Sequence, residues 1–80
     1  MRVLFYGRLV EAIGPELQID VPAGCCVAHI RERLAADFPG AASTLANKRA
    51  LACIAGSFVR DDYLVTGNDV LEFLPPVSGG

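Results

Sequence analysis

The 80-residue chain is short, 52% hydrophobic and weakly acidic, with 7 basic and 9 acidic residues and a net charge of −2. This length allows one small domain around a single hydrophobic core. The acidic balance gives no general attraction for phosphate backbones, so nucleic acid is not the expected ligand. The apolar fraction exceeds what one small core buries, which predicts an exposed apolar patch and a protein partner.

The cysteines and the hydropathy pattern bound the cellular setting. Cys25, Cys26 and Cys53 are odd in number and include an adjacent pair, which fits neither a disulfide framework nor a metal knuckle. No apolar run is long enough to span a bilayer, and the first residues lack the pattern of a secretory signal. We therefore expect a cytoplasmic protein with reduced cysteines, no membrane association and no bound metal.

The first quarter of the chain predicts two paired strands. Residues 2–6 are rich in branched and aromatic side chains, which is typical of a strand. Residues 9–13 predict one or two helical turns, ended by Gly14-Pro15. Residues 17–21 alternate apolar and polar side chains at period 2, as in a half-buried strand that would pair antiparallel with the first.

The period then changes to that of a helix. Val27, Ile30, Leu34 and Phe38 recur at i, i+3, i+7 and i+11, which places them on one stripe of a helix that ends at Pro39-Gly40. For residues 41–48 the pattern leaves a short second helix and a loop equally open.

The remaining third predicts short strands separated by turns. Residues 49–55 predict a third strand, Gly56-Ser57 a tight turn and residues 58–60 a short fourth strand. A turn signal at residues 66–69 precedes the last strand, residues 70–74. The order of elements predicts an α+β fold of the β-grasp type: a mixed sheet of four to five strands packed on one main helix. The domain would comprise residues 1–74, and residues 75–80 would form an extended tail.

Strand parity predicts where surplus apolar residues lie. If Val3 and Phe5 face the helix, Tyr6 faces the opposite side of the sheet, and the same rule sends Leu74 outward. Phe58, next to an inward Val59, would also face out. We predict that Tyr6, Phe58 and Leu74 form an apolar patch where the tail departs, although single exposed apolar side chains are ordinary on protein surfaces.

Polar residues of the domain do not assemble a catalytic pattern. His29 lies off the apolar stripe, and we interpret it as a solvated helix residue. No histidine or cysteine stands at ligand spacing from the acidic residues of the last third, which favours solvated turns and strand faces for Asp61, Asp62, Asp69 and Glu72. Cys25 and Cys26 precede the helix, where a thiolate activated by the helix dipole is the alternative to a structural role.

The segment that follows the last strand carries the strongest functional signal. Gly79 and Gly80 lack a Cβ, so they can thread a channel too narrow for other residues and bring a carboxylate to a partner's active site. Pro75 and Pro76 fix φ and offer no N–H to a ladder, so they hold the start of the tail extended. A flexible end without function is the alternative interpretation.

With these features the sequence resembles the small sulfur-carrying subunits of molybdopterin synthase, a ubiquitin-like family to which thiazole-pathway carriers are related. The matching segments are residues 3–7, 11–14, 67–70 and 73–80, together with Ile30, Arg31 and Leu34 of the helix. The ending Pro-Pro-Val-Ser/Thr-Gly-Gly is the most specific of them. The departures are Val10 for a frequent arginine, Cys26 for a threonine cap, Ala55 for an asparagine, and Asn68-Asp69 for Asp-Glu.

The resemblance implies a carrier without catalytic residues of its own. A ubiquitin-activating-type adenylyltransferase would use ATP to adenylate the Gly80 carboxylate, and a sulfur donor protein would convert it to a thiocarboxylate. Gly79 would give clearance, and no cofactor would be stably bound. The tail would then deliver sulfur to the cyclic pyranopterin monophosphate precursor inside the large catalytic subunit, in a heterotetramer. Seven residues would contact partners: Tyr6, Phe58, Leu74, Pro75, Pro76, Val77 and Ser78.

Two other functions remain open at this stage. One is sulfur carriage for a different pathway, such as tRNA thiolation, thiazole synthesis or cysteine synthesis. The other is a ubiquitin-like protein modifier, whose terminal glycine would form isopeptide bonds with lysines.

Overall fold

The structure is a computed structural model that describes residues 1–46 and 49–75. Its elements, in chain order, are β1 (Arg2–Phe5), α1 (Arg8–Ala12), β2 (Glu16–Gln18), α2 (Val27–Asp37), α3 (Ala42–Ala46), β3 (Leu51–Ile54), β4 (Ser57–Phe58) and β5 (Val70–Leu74). A 3₁₀ turn at Pro39–Ala41 joins α2 to α3. The predicted tail residues Pro76, Val77, Ser78, Gly79 and Gly80 lie outside the described residues.

The five strands form one mixed sheet in the order β2-β1-β5-β3-β4. β1 and β5 pair in parallel at its centre, with Val3 opposite Leu71 and Phe5 opposite Phe73. The other pairs are antiparallel. The predicted β-grasp fold is therefore confirmed.

The core lies between α2 and one face of the sheet. Val27, Ile30 and Leu34 are buried, as the predicted stripe requires, and Phe38 is half-buried just beyond the last turn of α2. They share one apolar cluster with the inward side chains of β1 and β5, where the Phe5 and Phe73 rings stack with their centroids 6.1 Å apart. Burial of this stripe supplies the main favourable free energy for placing the helix on the sheet.

The β3–β4 hairpin differs from the prediction by one residue. Ile54 pairs with Ser57, so the turn residues are Ala55 and Gly56, with φ of 52° and 81°, and the predicted Gly56-Ser57 turn is wrong. A two-residue turn with positive φ at both positions matches the twist of the strands. Because alanine is not a typical residue there, the sequence pattern pointed one residue too far along.

The last strand is observed at residues 70–74, as predicted, whereas the other predicted strands are longer than the observed ones. β2 covers residues 16–18 rather than 17–21, although the Ile19 N–H still donates to the Met1 carbonyl at 2.9 Å. β3 covers residues 51–54 rather than 49–55, and β4 covers residues 57–58 rather than 58–60. Past Phe58, the Val59 N–H donates to the Ala52 carbonyl at 3.0 Å, so a single bond extends that ladder.

The segment left open between helix and loop is helical as far as it is described. Residues 42–46 form α3, whose Leu45 is fully buried, while residues 47 and 48 lie outside the described residues. The predicted turn at residues 66–69 is present: the Asp69 N–H donates to the Thr66 carbonyl at 3.1 Å. Within the described ranges, none of the helices has the length and apolar character needed to cross a bilayer.

Candidate functional site

The start of the tail lies at the end of the central strand. Pro75 follows β5 directly and is exposed. Gly7, two residues past β1, lies beside it: a Cβ built on Gly7 would be in ordinary van der Waals contact with Pro75, 3.5 Å from its Cγ. Gly7 also has φ of 66° and ψ of −136°, a combination that only glycine adopts readily. The tail therefore follows the central strand of the sheet, which is paired on both sides, and it begins beside a backbone conformation that favours glycine at position 7.

The three residues of the predicted patch face the same side of the sheet, away from α2. Tyr6 is 39% exposed and Phe58 is 66% exposed, whereas Leu74 is half-buried. Because Phe5 pairs with Phe73, the next residues, Tyr6 and Leu74, are neighbours across β1 and β5. Phe58 does not touch this pair in the ladder, since it lies on the edge strand β4, two strands away from β5.

Leu51 and Cys53 of β3 lie between them on the same face, although Leu51 is half-buried and Cys53 is only 5% exposed; neither was predicted to belong to the patch. Leu51 pairs with Leu74, and Cys53 pairs with both Glu72 and Phe58, so paired side chains continue the outward face from β5 to β4. Residues 49–55 are apolar at nearly every position, so their pattern does not show which side chains face the core and which face outward. Only the register with β5 shows which of them face out. We name Tyr6, Leu51, Cys53, Phe58 and Leu74 the outer patch.

A polar pair lies within the same face. The Tyr6 hydroxyl donates to Glu72 Oε2 at 2.6 Å, and this hydrogen bond raises the pKa of Tyr6. Glu72, predicted to be a solvated strand residue, is half-buried and acts as the acceptor that orients Tyr6. The bond fixes the Tyr6 ring beside Leu74 and Pro75, at the base of the tail.

Asp61 and Asp69 also have structural partners. Asp61 Oδ1 accepts from Arg31 Nε at 2.9 Å, so Asp61 is half of an ion pair rather than a free solvated carboxylate. Asp69 Oδ2 accepts from the Thr66 N–H at 2.9 Å and closes its own turn. Both carboxylates therefore accept hydrogen bonds that stabilise the fold.

Cys25, Cys26 and His29 lie at the start of α2. Cys26 is the N-cap residue, and its N–H donates to His29 Nδ1 at 3.3 Å, with Cys26 Sγ 3.5 Å from the same nitrogen. Burial raises the pKa of the Cys25 thiol, which is opposite to the activation considered from the sequence. Cys25, Cys26 and Cys53 are all free thiols. In the described part of the chain, no three His, Cys, Asp or Glu side chains are grouped as metal ligands would be.

Comparison with known proteins agrees with this architecture. The fold is that of the ubiquitin-like β-grasp proteins, and the model of the ThiS family matches residues 3–80. The chain therefore belongs to the ThiS family. It is 31% identical over 83 aligned positions to the molybdopterin synthase sulfur carrier subunit of Escherichia coli, an alignment that covers 100% of this chain and 99% of that protein.

Solved structures share the fold at lower sequence identity. Small archaeal modifier protein 1 of Haloferax volcanii superposes with a TM-score of 0.80 at 17% identity, over 95% of each chain. A complex of subunits 1 and 2 of the molybdopterin-converting factor from Helicobacter pylori contains a chain that matches with a TM-score of 0.68 at 20% identity, covering 99% of this chain and 96% of that one. These similarities show the fold alone, because the matched structures carry names that describe different roles.

Proposed function

We propose that this chain is the sulfur carrier subunit of a molybdopterin synthase. The main support is the full-length similarity to the E. coli subunit, together with the Pro-Pro-Val-Ser-Gly-Gly segment that follows the central strand β5 in the sequence. The domain holds the tail, and the reacting atoms belong to the carboxylate of Gly80. The proposal assigns the large subunit of the synthase as the acceptor of that tail, in a heterotetramer.

Activation of the carboxylate requires a separate enzyme, because an ionised carboxylate is a poor electrophile. In the proposed reaction a Gly80 oxygen attacks the α-phosphate of ATP, and pyrophosphate leaves. A persulfide on a sulfur donor protein then attacks the acyl adenylate and displaces AMP. A thiol next cleaves the resulting acyl disulfide, which leaves a disulfide on the donor side and the thiocarboxylate on Gly80. Gly79 gives the clearance that lets the terminus enter both active sites.

The thiocarboxylate sulfur would then attack the cyclic pyranopterin monophosphate precursor within the large subunit. Water would hydrolyse the resulting thioester, which leaves the sulfur on the substrate and restores the Gly80 carboxylate. Two such deliveries supply the two sulfur atoms of the dithiolene that binds molybdenum. The acid, base and phosphate-binding groups for this step are assigned to the large subunit. ATP is consumed by the activating enzyme, and this chain needs no resident cofactor.

Mass spectrometry tests the proposal. The full chain is incubated with a ubiquitin-activating-type adenylyltransferase, ATP and a sulfur donor, and the mass of its C-terminal peptide is measured. We expect replacement of one oxygen by sulfur at Gly80, and no change in a variant that lacks Gly80. An unmodified wild-type chain, under conditions that modify the E. coli subunit, would contradict the proposal.

The same thiocarboxylated material separates the other functions. Sulfur should pass to the pyranopterin precursor in the presence of the large subunit, and faster than to tRNA, thiazole or cysteine-synthesis acceptors. If another acceptor discharges it faster, the chain serves that pathway instead. Stable conjugates to lysines in cell extracts would identify a protein modifier.

A further inference from the structure

A groove of about 530 Å³ opens at the base of the tail, beside Tyr6 and Pro75. Besides Thr44 of α3, three chain segments next to strands meet there: residues 6–9 after β1, Arg49 and Ala50 before β3, and Pro75 after β5. They meet because β1 and β5 run parallel and β3 runs antiparallel to β5. The groove is therefore a direct product of the sheet topology.

The two arginines of this groove are not used by the fold. Arg8 and Arg49 are both exposed, and neither guanidinium has a hydrogen bond or ion pair with another described residue. Three other arginines do have such contacts: Arg2 binds Glu16, Arg31 binds Asp61, and Arg33 donates to the Asp20 carbonyl. Arg60 is also exposed and has no such contact with a described residue, but it lines a different cavity, beside Phe58 and Asp61. In a chain of net charge −2, the base of the tail is thus a local cationic site.

The tail is short, so a partner that binds its terminal residue must come close to this site. Residues 76–80 follow Pro75 and span at most roughly 18 Å when fully extended. A partner whose active site receives Gly80 must therefore come within that distance of Pro75, and Arg8 and Arg49 line the groove beside Pro75. Burying unpaired guanidinium groups there would be costly unless the partner supplies opposite charge.

We propose that Arg8 and Arg49 are docking contacts for aspartate or glutamate side chains at the mouth of the partner's tail channel. The inference rests on the proposed function, because it takes the tail as the group that partners receive. Guanidinium groups pair with carboxylates through two parallel hydrogen bonds, which fixes orientation as well as supplying attraction. The two arginines then determine how fast the tail finds the channel and which partners accept it, and they leave the chemistry at Gly80 unchanged.

Charge reversal tests the proposal. Arg8→Glu, Arg49→Glu and the double variant are compared with wild type in two assays: binding to the large subunit, and thiocarboxylation by the activating enzyme, each at about 50 mM and about 500 mM salt. At low salt the double variant should lose about tenfold or more in association rate or apparent affinity, and at high salt the difference should shrink to about twofold. The thiocarboxylation rate at saturating enzyme should stay near that of wild type.

Arg33→Glu is the matched control, because it changes the net charge as each single variant does. Arg33 lies far from Pro75, at the opposite end of the sheet. It donates to the Asp20 carbonyl, and the neighbouring Ile19 N–H donates to the Met1 carbonyl at that end. This variant should bind as wild type does at both salt concentrations. Circular dichroism of all variants checks that the fold is kept.

Three results would overturn the inference. The first is a double variant that binds as Arg33→Glu does. The second is a loss of binding that is equal at both salt concentrations. The third is a rise in affinity, as expected if the two arginines held the chain's own carboxylate. Each of these leaves the proposed function standing if wild type is still thiocarboxylated. Failure of wild type to be thiocarboxylated would instead remove the proposed function.

Discussion

Ala55 occupies a backbone position that suits few L-amino acids. It is the first turn residue of the β3–β4 hairpin, with φ of 52°, and Gly56 follows with φ of 81°. The left-handed region costs most side chains about 1 kcal/mol or more, and asparagine tolerates it best after glycine. The departure from asparagine noted in the sequence therefore falls on a strained residue.

Ala55→Asn should stabilise the protein by about 0.5–1 kcal/mol, because asparagine accepts positive φ and can bond to the local backbone. Urea unfolding followed by circular dichroism measures this as a higher midpoint with an unchanged slope. The companion variant Gly56→Ala should lower the midpoint. An unchanged midpoint for Ala55→Asn would mean that the turn relaxes around alanine without cost.

Tyr6 is a second residue whose behaviour follows from one contact. Its hydroxyl donates to Glu72, and this hydrogen bond, ahead of desolvation and Coulomb repulsion, raises the pKa of the phenol. The bond exists while the phenol keeps its proton. Its contribution to stability is therefore present below the pKa of an unfolded tyrosine and is lost as pH rises through the higher pKa of folded Tyr6.

Ultraviolet titration checks this directly. In a Tyr63→Phe background, Tyr6 is the one remaining tyrosine, and it should ionise at a higher pH than in the same background carrying Glu72→Gln. Glutamine keeps an acceptor oxygen but removes the negative charge. Identical titration curves would show that Glu72 does not hold Tyr6 in solution.

At the scale of elements, Arg31 ties several parts of the fold together. From α2, its guanidinium binds Asp61 Oδ1 and the Leu45 carbonyl, and lies 5.1 Å from the centroid of the Phe73 ring. Its side chain is 11% exposed, so these contacts are poorly screened by water. One side chain thus joins α2, α3, β5 and the loop after β4.

Arg31→Met should destabilise the protein by about 2 kcal/mol, because it leaves the Leu45 carbonyl and Asp61 without their donor while keeping much of the packing volume. Asp61→Asn should cost less, since Asp61 is 44% exposed and asparagine can still accept from Arg31 Nε. Thermal and urea unfolding measure both variants. Equal losses for the two would mean that the ion pair, and not the wider set of contacts, provides the stabilisation.

The elements also show which features of the fold a sequence can predict. α2 was predicted with its buried stripe because the 3.6-residue period extends over three turns, and Tyr6 and Leu74 were assigned to the outer face by strand parity. The hairpin turn was misplaced because Ala55 carries no turn signal. Leu51 and the Arg8–Arg49 groove were missed because both depend on strand register and on segments far apart in sequence.

For the molecule as a whole, the outer patch and the start of the tail lie on one continuous surface. Tyr6 and Leu74 adjoin Pro75, and Leu51 and Cys53 extend the face to Phe58 at the sheet edge. An apolar area with a polar pair inside it has the composition of a protein interface core. The large subunit of the proposed synthase is the partner that this surface would meet.

Phe58→Asp should weaken binding to the large subunit by about tenfold or more while leaving the domain folded, since Phe58 is 66% exposed and a charge there costs only when it is desolvated. Leu74→Asp should act in the same direction. Leu64→Asp is the control, because Leu64 is 62% exposed but bridges to Cys26 at the start of α2, away from the outer patch. A calorimetric titration in which Phe58→Asp binds like Leu64→Asp would remove Phe58 from the interface.

The position of β5 also governs how the protein responds to mechanical force. A pull applied through Pro75 runs along a strand that is hydrogen-bonded on both sides, to β1 in parallel and to β3 antiparallel. Such a load shears two ladders at once instead of peeling an edge strand bond by bond. An unfoldase that pulls on the chain beyond Pro75 would therefore meet its greatest resistance at β5, which makes this side of the domain a poor starting point for degradation.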